Sequence, residues 1–432
     1  MSAVDVPVAL LGYGTVGAAV HRLLTESADD IERATGHRLR VVKALVRDLS
    51  KERAFTADGG ILTTDVADVL EDGEIPIVAE VMGGVEPTGD YVIDLLANGK
   101  HVVTANKQLI ARRSGELFAA ASGAGVQLRF EASVCAAIPV INVLRESLVV
   151  SHVHRLLGIV NGTTNFILSK MEEGADYDAA LAEAQQLGYA EADPTEDVGG
   201  ADAAAKRAIL ATIAFGSRVT LDDVVFDGIT SIRSGHIEAA RELGMSVRLV
   251  GAATLLDEGF DVRVGPALVA SKHPLAAVDG AFNAVTLEGD AIREITLEGP
   301  GAGGIETASA VVADMVSIVG TTGTGFLQND PCWRSLPRLD PGSLRSPFFL
   351  RLEVDDRPGV LARIAERLAQ HDVSVARLVQ HPRKGGAELY IVTHEARTGS
   401  VTDALVQIAE LPEIHGAPSA LPVIEDRGEA GS

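Results

Sequence analysis

Short apolar runs separated by amphipathic segments make up the first third of the chain. Residues 6–11 (VPVALL) form such a run and lead directly into a glycine-rich turn, GYGTVG, which is followed by a segment with helical periodicity. Strands that alternate with helices are typical of a parallel α/β sheet. We therefore predict a doubly wound, Rossmann-like domain over residues 1–130. Its further strands are expected at residues 39–46, 76–84 and 101–107.

The apolar pattern changes after residue 126. Residues 126–148 combine a strand, a loop of small residues and an amphipathic helix, and the strands beyond them no longer alternate regularly with helices. This pattern predicts an α+β domain over residues 131–320 that binds substrate and contacts other subunits. Its strands are expected at residues 153–160, 246–256, 260–269, 283–289 and 291–299.

The last part of the chain has a third pattern. Residues 321–346 are rich in Gly, Pro, Ser and Thr and lack periodicity, so we predict a linker there. Beyond it, apolar segments follow one another in the order strand, helix, strand, strand, helix, strand. This βαββαβ order predicts a ferredoxin-like fold over residues 347–426.

Composition narrows the classes of partner. The 432 residues carry a net charge of −23 and show no basic stripe, which argues against nucleic acid and anionic membranes. Two cysteines cannot build a disulfide framework, and neither lies in a metal-ligand spacing. Neither a signal peptide nor an apolar run of the ~18 residues needed to span a membrane is evident. We expect a cytoplasmic protein with small-molecule partners.

The glycine turn after the first strand suits a dinucleotide. In a strand, turn and helix of this order, the first glycine makes the turn, the second admits a pyrophosphate and the third permits close packing. A tight βα turn without a ligand is the alternative. An arginine and a lysine at the end of the second strand favour NADP, although NAD remains possible. The candidate residues of this region are Gly12, Gly14, Thr15, Val16, Gly17, Arg47 and Lys51.

Three more candidates follow the third and fourth predicted strands. Gly83, Thr104 and Lys107 lie at carboxyl ends of strands, where ligands of doubly wound sheets bind. Lys107 is either a surface lysine or a group that points into the ligand crevice. Its position directly after a buried strand favours the second interpretation.

An acidic segment precedes one lysine in residues 191–206, EADPTEDVGGADAAAK. Asp202 and Lys206 are four residues apart and share one helix face, where an ordinary ion pair is the simplest interpretation. The alanines between them and the apolar residues after them predict a buried helix, in which a lysine needs a specific role. A lysine of tuned pKa can give a proton to the oxygen that a hydride makes negative. The segment therefore predicts a site for a zwitterionic carbonyl compound.

The segment at residues 161–168, NGTTNFIL, leaves two interpretations open. Asn161, Thr163 and Thr164 follow a predicted strand and begin a helix. They either cap that helix or contact a ligand.

Four stretches, GYGTVG, TANK, NGTTNFIL and GYAEADPTEDVGGADAAAK, strongly resemble homoserine dehydrogenases over residues 5–320. The resemblance implies the interconversion of aspartate β-semialdehyde and homoserine with NAD(P)H. It implies that Lys206 protonates the carbonyl oxygen with the help of Lys107. It also implies that Glu191, Asp197 and Asp202 hold the substrate's amino group.

The same resemblance extends to the cofactor and to a metal ion. It implies that Gly188 and Gly303 lie near the nicotinamide, although Gly303 also suits a simple helix-entry turn. The final helix, within residues 299–320, is expected to return to the cofactor domain. The loop EASVCAAIPV resembles the family's site for a monovalent cation, Na⁺ or K⁺, where the family often has glycines in place of Ala136 and Ala137. The implied ligands are backbone oxygens of Glu131, Val134, Ala136 and Ile138.

The segment VDDRPGVLARIAERLAQHDVSVARL resembles an ACT domain, a module that usually binds an amino acid. The implied site comprises Asp355, Arg357, Gly359 and Val360, and we expect threonine as the effector. A module that only joins subunits is the alternative. A homodimer or homotetramer is expected. Two other functions fit the sequence less well: the dehydrogenase of another amino-acid semialdehyde, and an amino-acid sensor that has lost its chemistry.

Overall fold

The computed structural model describes residues 4–51, 53, 60–322, 341–343, 345–383 and 385–422. They fold as two compact units, the first containing residues 4–322 and the second the described residues from 341 onward. Most of the predicted linker and residues 423–426 of the predicted third domain lie outside the described residues. No helix in the described ranges is long and apolar enough to cross a membrane.

A six-stranded parallel sheet forms the first half of the first unit, in the order β3-β2-β1-β4-β5-β6. Its inner strands are apolar because helices cover both faces. This order is the Rossmann arrangement, so the predicted doubly wound sheet is confirmed. The strands are β1 Val4–Leu11, β2 His37–Leu45, β3 Leu62–Thr63, β4 Ile77–Glu80, β5 His101–Thr104 and β6 Leu128–Arg129. The helices are α1 Thr15–Glu26, α2 Ala28–Thr35, α3 Ala67–Leu70, α4 Thr88–Ala97 and α5 Lys107–Ala124.

A mixed six-stranded sheet follows, in the order β12-β11-β7-β9-β10-β8. Its pairs are antiparallel except for β8 with β10. The predicted α+β fold is confirmed. The strands are β7 Val153–Ile159, β8 Val225–Phe226, β9 Met245–Leu256, β10 Gly259–Ala270, β11 Phe282–Gly289 and β12 Arg293–Pro300. The helices are α6 Val140–Asn142, α7 Gly162–Glu173, α8 Tyr177–Gln186, α9 Thr195–Val198, α10 Ala201–Phe215, α11 Ser234–Glu242 and α12 Gly304–Thr322.

Two features of this half position the site. The helix predicted within residues 126–148 is interrupted, because the short α6 passes directly into a π-helix at Val143–Ser147. Helix α12 packs back on the first sheet. Its Val311 and Met315 are fully buried in the same apolar cluster as Val8 of β1 and Val20 of α1.

The second unit is an antiparallel sheet with two helices, in the order β15-β16-β14-β18. Helix α13 is strongly amphipathic and buries Val360, Ile364 and Leu368 against the sheet. The predicted ferredoxin-like fold is confirmed. The elements are β13 Arg345–Ser346, β14 Phe348–Val354, α13 Val360–Gln370, β15 Val375–Arg383, β16 Gly386–Thr393, β17 Ala396–Arg397, α14 Thr398–Ala409 and β18 Ile414–Pro422.

Candidate active site

The glycine turn after β1 brings the backbone close to its neighbours. Gly12 has φ +106°, and a Cβ there would lie 2.9 Å from the carbonyl oxygen of Val81. A Cβ on Gly17 would lie 2.3 Å from the carbonyl oxygen of Gly12. Both positions therefore require glycine. Because α1 begins at Thr15, its unpaired N-terminal amides suit a phosphate group at this turn.

A cleft of about 1250 Å³ opens at this turn and reaches the first residues of α12, Gly304 and Ile305. Half of the predicted cofactor residues line it: Gly12, Gly14, Thr15, Arg47, Lys51 and Gly83. The others are not among its described lining residues: Val16, Gly17, Thr104, Lys107, Gly188 and Gly303. Gly303 directly precedes α12 with φ +140°, and Gly188 follows α8 with φ +79°.

One end of the cleft is basic. Arg47, Lys51 and Arg53 line it, and we call these three the basic end of the cleft. Arg53 donates hydrogen bonds to the carbonyl oxygens of Asp48 (2.5 Å) and Lys51 (2.6 Å), so its charge meets neutral acceptors. The carboxylate of Asp48 accepts from the amide and the hydroxyl of Ser50, which lowers the pKa of Asp48. Asp48 also lines this end, and the charges of Arg53 and Lys51 lower its pKa further. Three cations against the Asp48 carboxylate leave positive charge for an anion.

A buried carboxylate joins the two predicted catalytic lysines. Oδ1 of Asp202 contacts Lys107 Nζ, and Oδ2 lies 2.9 Å from Lys206 Nζ. Asn161 Nδ2 donates to Oδ2 of Asp202 (2.9 Å). The side chain of Asp202 is only 4% exposed, whereas those of Lys206 and Lys107 are 12% and 32% exposed. We call these four residues the Asp202 centre.

The charges of this centre fix one another's protonation. Burial raises the pKa of Asp202, but the charges of Lys206 and Lys107 outweigh burial and hold this pKa well below its ordinary value. Burial lowers the pKa of Lys206, but the charge of Asp202 outweighs it, and the net pKa is raised. The centre therefore holds an ammonium group inside the protein near neutral pH. Lys206 also donates to the carbonyl oxygen of Val160 (2.9 Å), which fixes its direction.

The other predicted substrate residues differ in surroundings. Asp197 Oδ1 accepts from Asn161 Nδ2 (2.7 Å). Burial is the main cause that raises the pKa of Asp197, and the charge of Asp202 adds to it. Glu191 is exposed. The structure thus brings Asp197 and Asp202 together through one amide and leaves Glu191 on the surface.

Asn161 caps its helix, as the first of the two interpretations predicted, while contact with a ligand stays a prediction. Its Oδ1 accepts from the amide of Thr164 (2.8 Å) and caps α7, while its Nδ2 serves both carboxylates. Thr163 donates to the carbonyl oxygen of Tyr189 (2.5 Å). The motif NGTTNFIL was the signal for Asn161, but spacing alone did not connect it to residues 36 and 41 positions away.

The loop predicted to hold a cation is buried. The carbonyl oxygens of Val134 and Ala136 accept no hydrogen bond from the described donors, whereas that of Ile138 accepts from the amide of Val140 (2.8 Å). Ala136 has φ +44°, a left-handed conformation that favours glycine. Buried carbonyl oxygens without a donor are hard ligands that fit an alkali cation. Burial raises the pKa of Glu131 to about 7, although the amides of Ile141 and Asn142 lower it.

The predicted effector residues run from just after β14 to the first residue of α13 in the second unit. Arg357 Nη2 lies 3.1 Å from Asp355 Oδ2 and 3.3 Å from Glu413 Oε1. Asp355 Oδ1 also contacts His415 Nε2 (2.7 Å). Gly359 has φ +92° and precedes α13, and the side chain of Val360 is buried in the core. Charges of both signs are therefore available to a zwitterion here.

Comparison with known proteins identifies the family. The family model described as homoserine dehydrogenase matches residues 139–316, and that of its NAD-binding domain matches residues 12–131. The ACT domain model matches residues 348–413. The homoserine dehydrogenase of Mycobacterium leprae is 42% identical over 433 residues, covering 96% of this chain and 97% of its own. The chain belongs to the homoserine dehydrogenase family.

Solved homoserine dehydrogenases agree with this assignment. The Thiobacillus denitrificans enzyme is 41% identical, with a TM-score of 0.72 over 98% of this chain and 99% of its own. A hyperthermophilic archaeal homoserine dehydrogenase, solved in complex with NADPH, is 29% identical with a TM-score of 0.63. It covers 74% of this chain and 99% of its own. The protein is thus an NAD(P)-dependent oxidoreductase of amino-acid biosynthesis with an ACT domain, and the predicted family, fold class and activity are confirmed.

Proposed function

We propose that Lys206 gives the proton to the carbonyl oxygen of aspartate β-semialdehyde as homoserine forms. The supporting observation is the pairing of Lys206 with Asp202, which keeps a buried ammonium charged. Lys107, on the other oxygen of the same carboxylate, assists by fixing Asp202 and by adding positive charge near the developing oxyanion. The nicotinamide, when bound, supplies the hydride.

Asp197 and Asp202, with Glu191, are our candidates for holding the substrate ammonium. Asp197 supports this role best because its Oδ1 is oriented by Asn161 and it lies beside the Asp202 centre. Glu191 is exposed, so it would reach the substrate only at the rim of the site.

NADP is our proposed preferred cofactor. The basic end of the cleft presents Arg47 and Lys51, of which the arginine suits bidentate pairing with a 2′-phosphate. The archaeal relative was solved in complex with NADPH, which supports use of this cofactor here. Gly12, Gly14, Thr15, Val16, Gly17 and Gly83 are our candidates for the phosphate and nicotinamide side, with Thr104, Lys107, Gly188 and Gly303 nearer the reacting groups.

We assign the loop from Glu131 to Ile138 to a monovalent cation, Na⁺ or K⁺. The two buried carbonyl oxygens without donors, those of Val134 and Ala136, support this assignment. The ion would order a loop that leads into α6, beside the helix that carries Lys206. A titration of the apoenzyme with NaCl or KCl against choline chloride, followed by thermal melting, tests it, and equal melting temperatures in all three salts would contradict it.

Threonine is our proposed effector of the ACT domain, at Asp355, Arg357, Gly359 and Val360. The mixed charges there support a zwitterionic ligand. An effector bound at a linked site of this kind changes the affinity of the other site for its ligand by roughly 5–150-fold. Inhibition should therefore weaken in Arg357→Ala and disappear in a chain that ends after Thr322, with oligomer size measured in parallel. If the shortened chain is inhibited equally well, threonine acts at the catalytic unit.

The remaining proposals concern assembly and location. We propose a homodimer or homotetramer, supported by exposed apolar side chains on the second sheet, Leu256, Leu268 and Phe282. Light scattering tests the oligomeric state.

We retain residues 1–130, 131–320, 321–346 and 347–426 as the domain boundaries. We also propose a cytoplasmic location, because Cys135 is an unpaired, buried thiol.

The activity itself is tested by absorbance at 340 nm with homoserine and either NADP or NAD. Oxidation of homoserine with a higher kcat/KM for NADP is the expected result. No change in absorbance with either cofactor would contradict the proposed function.

A further inference from the structure

Glu80 is a carboxylate in the middle of the first sheet's core. It is the last residue of β4, between apolar strands, and it is fully buried. It forms no ion pair with the described residues, so its charge has no cationic partner there to offset the cost of burial. A carboxylate in such a place needs hydrogen-bond donors, and its donors show what it does.

Both oxygens of Glu80 are occupied, each by a different segment. Oε1 accepts from the amides of Met82 (2.8 Å) and Gly83 (3.0 Å). Oε2 accepts from the hydroxyl of Thr104 (2.5 Å), and this hydroxyl accepts in turn from the amide of Asn106 (3.0 Å). One side chain therefore fixes both the loop after β4 and the loop after β5.

The two loops carry different parts of the reaction. Gly83 and Gly84 have φ +74° and +76° and line the cofactor cleft. The other loop leads to Lys107, which contacts Asp202. Asn106 Nδ2 donates to the carbonyl oxygen of Gly84 (2.6 Å), which ties the loops together a second time.

We infer that Glu80 is a positioning residue that holds the cofactor loop Gly83–Gly84 and Lys107 in one fixed arrangement, with Thr104 as its intermediate. The inference rests on the proposed role of Lys107. Thr104 then acts on the cofactor through Glu80, since its hydroxyl is committed to that carboxylate.

Two acceptor oxygens serve these contacts better than an amide would. Oε1 of Glu80 accepts from two amides and Oε2 from one hydroxyl, and these hydrogen bonds oppose the burial that raises the pKa of Glu80. Glutamine in the same place turns one acceptor into a donor. If Nε2 faces Thr104, it can still donate to Oγ1, but the hydroxyl proton loses its acceptor. If Nε2 faces the loop after β4, both amides lose theirs, so the common anchor is weakened in either orientation.

The first experiment compares Glu80→Gln and Thr104→Val with Thr104→Ser. We expect the first two to weaken NADPH binding, followed by its fluorescence, and to lower kcat, each by roughly 10- to 100-fold. Thr104→Ser keeps the hydroxyl and should stay within about threefold of the parent in both. Parent-like binding and kcat in Glu80→Gln would overturn the inference.

Thr35 supplies a matched control. Its buried hydroxyl donates to the carbonyl oxygen of Ile31 (2.8 Å), has a longer contact with that of His37 (3.4 Å), and accepts from the amide of His37, two residues later. It lies outside the described lining of the cleft. Thr35→Val should lower the melting temperature as Thr104→Val does while leaving binding and kcat unchanged. If both valine variants change only the melting temperature, Thr104 and Glu80 are merely structural.

A double variant makes the test sharper. Glu80→Gln and Thr104→Val both disrupt the hydrogen bond between these two side chains, although the valine also removes the acceptor of the Asn106 amide. The loss in the double variant should therefore fall short of the product of the two single losses. Independent, multiplying losses would contradict a shared anchor. NADPH binding also separates this inference from the proposed function: a fully active Lys107→Met would remove Lys107 from the chemistry, whereas the binding loss in Glu80→Gln would still report the cofactor loop.

Discussion

The Asp202 centre and the basic end of the cleft both present positive charge, but in opposite surroundings. In the Asp202 centre, two lysines share one carboxylate that is 4% exposed. At the basic end, three cations line an open cleft and Arg53 is held by neutral carbonyl oxygens. Charges interact strongly in a buried site and are screened in an exposed one. The first region is therefore suited to chemistry and the second to recognition.

The comparison between the two regions predicts that substitution of Lys206 has the largest effect on catalysis. Lys206→Ala should lower kcat by ~10²–10⁴-fold, because a proton donor of tuned pKa contributes about this factor. NADPH affinity should stay near that of the parent, since Lys206 is not among the described residues that line the cleft. Steady-state kinetics and a fluorescence titration on the same preparation measure both.

Lys100 provides the control for this variant. It is a buried lysine whose Nζ also donates to main-chain carbonyl oxygens, those of Asp72 and Ile75, away from the site. Lys100→Met should cost stability and leave kcat unchanged. Equal kcat in Lys206→Ala and Lys100→Met would mean that the Asp202 centre performs no proton transfer.

Arg47 should show the next largest effect, and a selective one. Arg47→Ala is expected to weaken NADP binding by roughly 10- to 100-fold, because charge-assisted hydrogen bonds are lost, and to change NAD binding little. Arg40 is an exposed arginine on β2, the strand that precedes Arg47, and is not among the described residues that line the cleft, so Arg40→Ala is its control. If the binding of NADP and of NAD weakens equally, Arg47 does not bind the 2′-phosphate.

Lys51 should show the smallest effect. As an exposed cation, it adds a screened attraction, so Lys51→Ala should raise the KM for NADP only about two- to fivefold at low salt. The difference should vanish near 0.5 M salt, where the Debye length is roughly 4 Å. A salt-independent loss would place Lys51 in a direct, desolvated contact and would weaken the contrast between the two regions.

What sequence predicted well in this chain is local. The glycine turn, its strand and its helix are contiguous, so spacing alone indicated their joint role. Asp202 and Lys206 are separated by one turn of α10, and in the structure Asp202 Oδ2 lies 2.9 Å from Lys206 Nζ. The order of elements was enough for the doubly wound sheet, the α+β domain and the ferredoxin-like unit, because each follows a common chain path.

What sequence did not predict is long-range. Lys107 contacts Asp202 across 95 positions, and only the resemblance linked these residues. Glu80 interrupts an apolar run by one residue, which no periodicity marks as functional, and its partner Thr104 lies 24 positions away. The break between α6 and the π-helix also escaped prediction, because the apolar spacing of residues 140–147 is compatible with one regular helix.

The pH dependence of aspartate semialdehyde reduction tests the central claim most directly. Reduction needs a protonated Lys206, and Asp202 raises the pKa of Lys206 against the effect of burial. Without that carboxylate, burial is opposed only by the smaller effects of Cys135 and Asp197, so the pKa of Lys206 falls and the donor loses its proton at lower pH. In Asp202→Asn, the alkaline limb of the kcat/KM profile should therefore move to lower pH by at least about one pH unit relative to the parent. An alkaline limb at the same pH in both proteins would contradict the claim that Asp202 holds Lys206 charged for proton transfer.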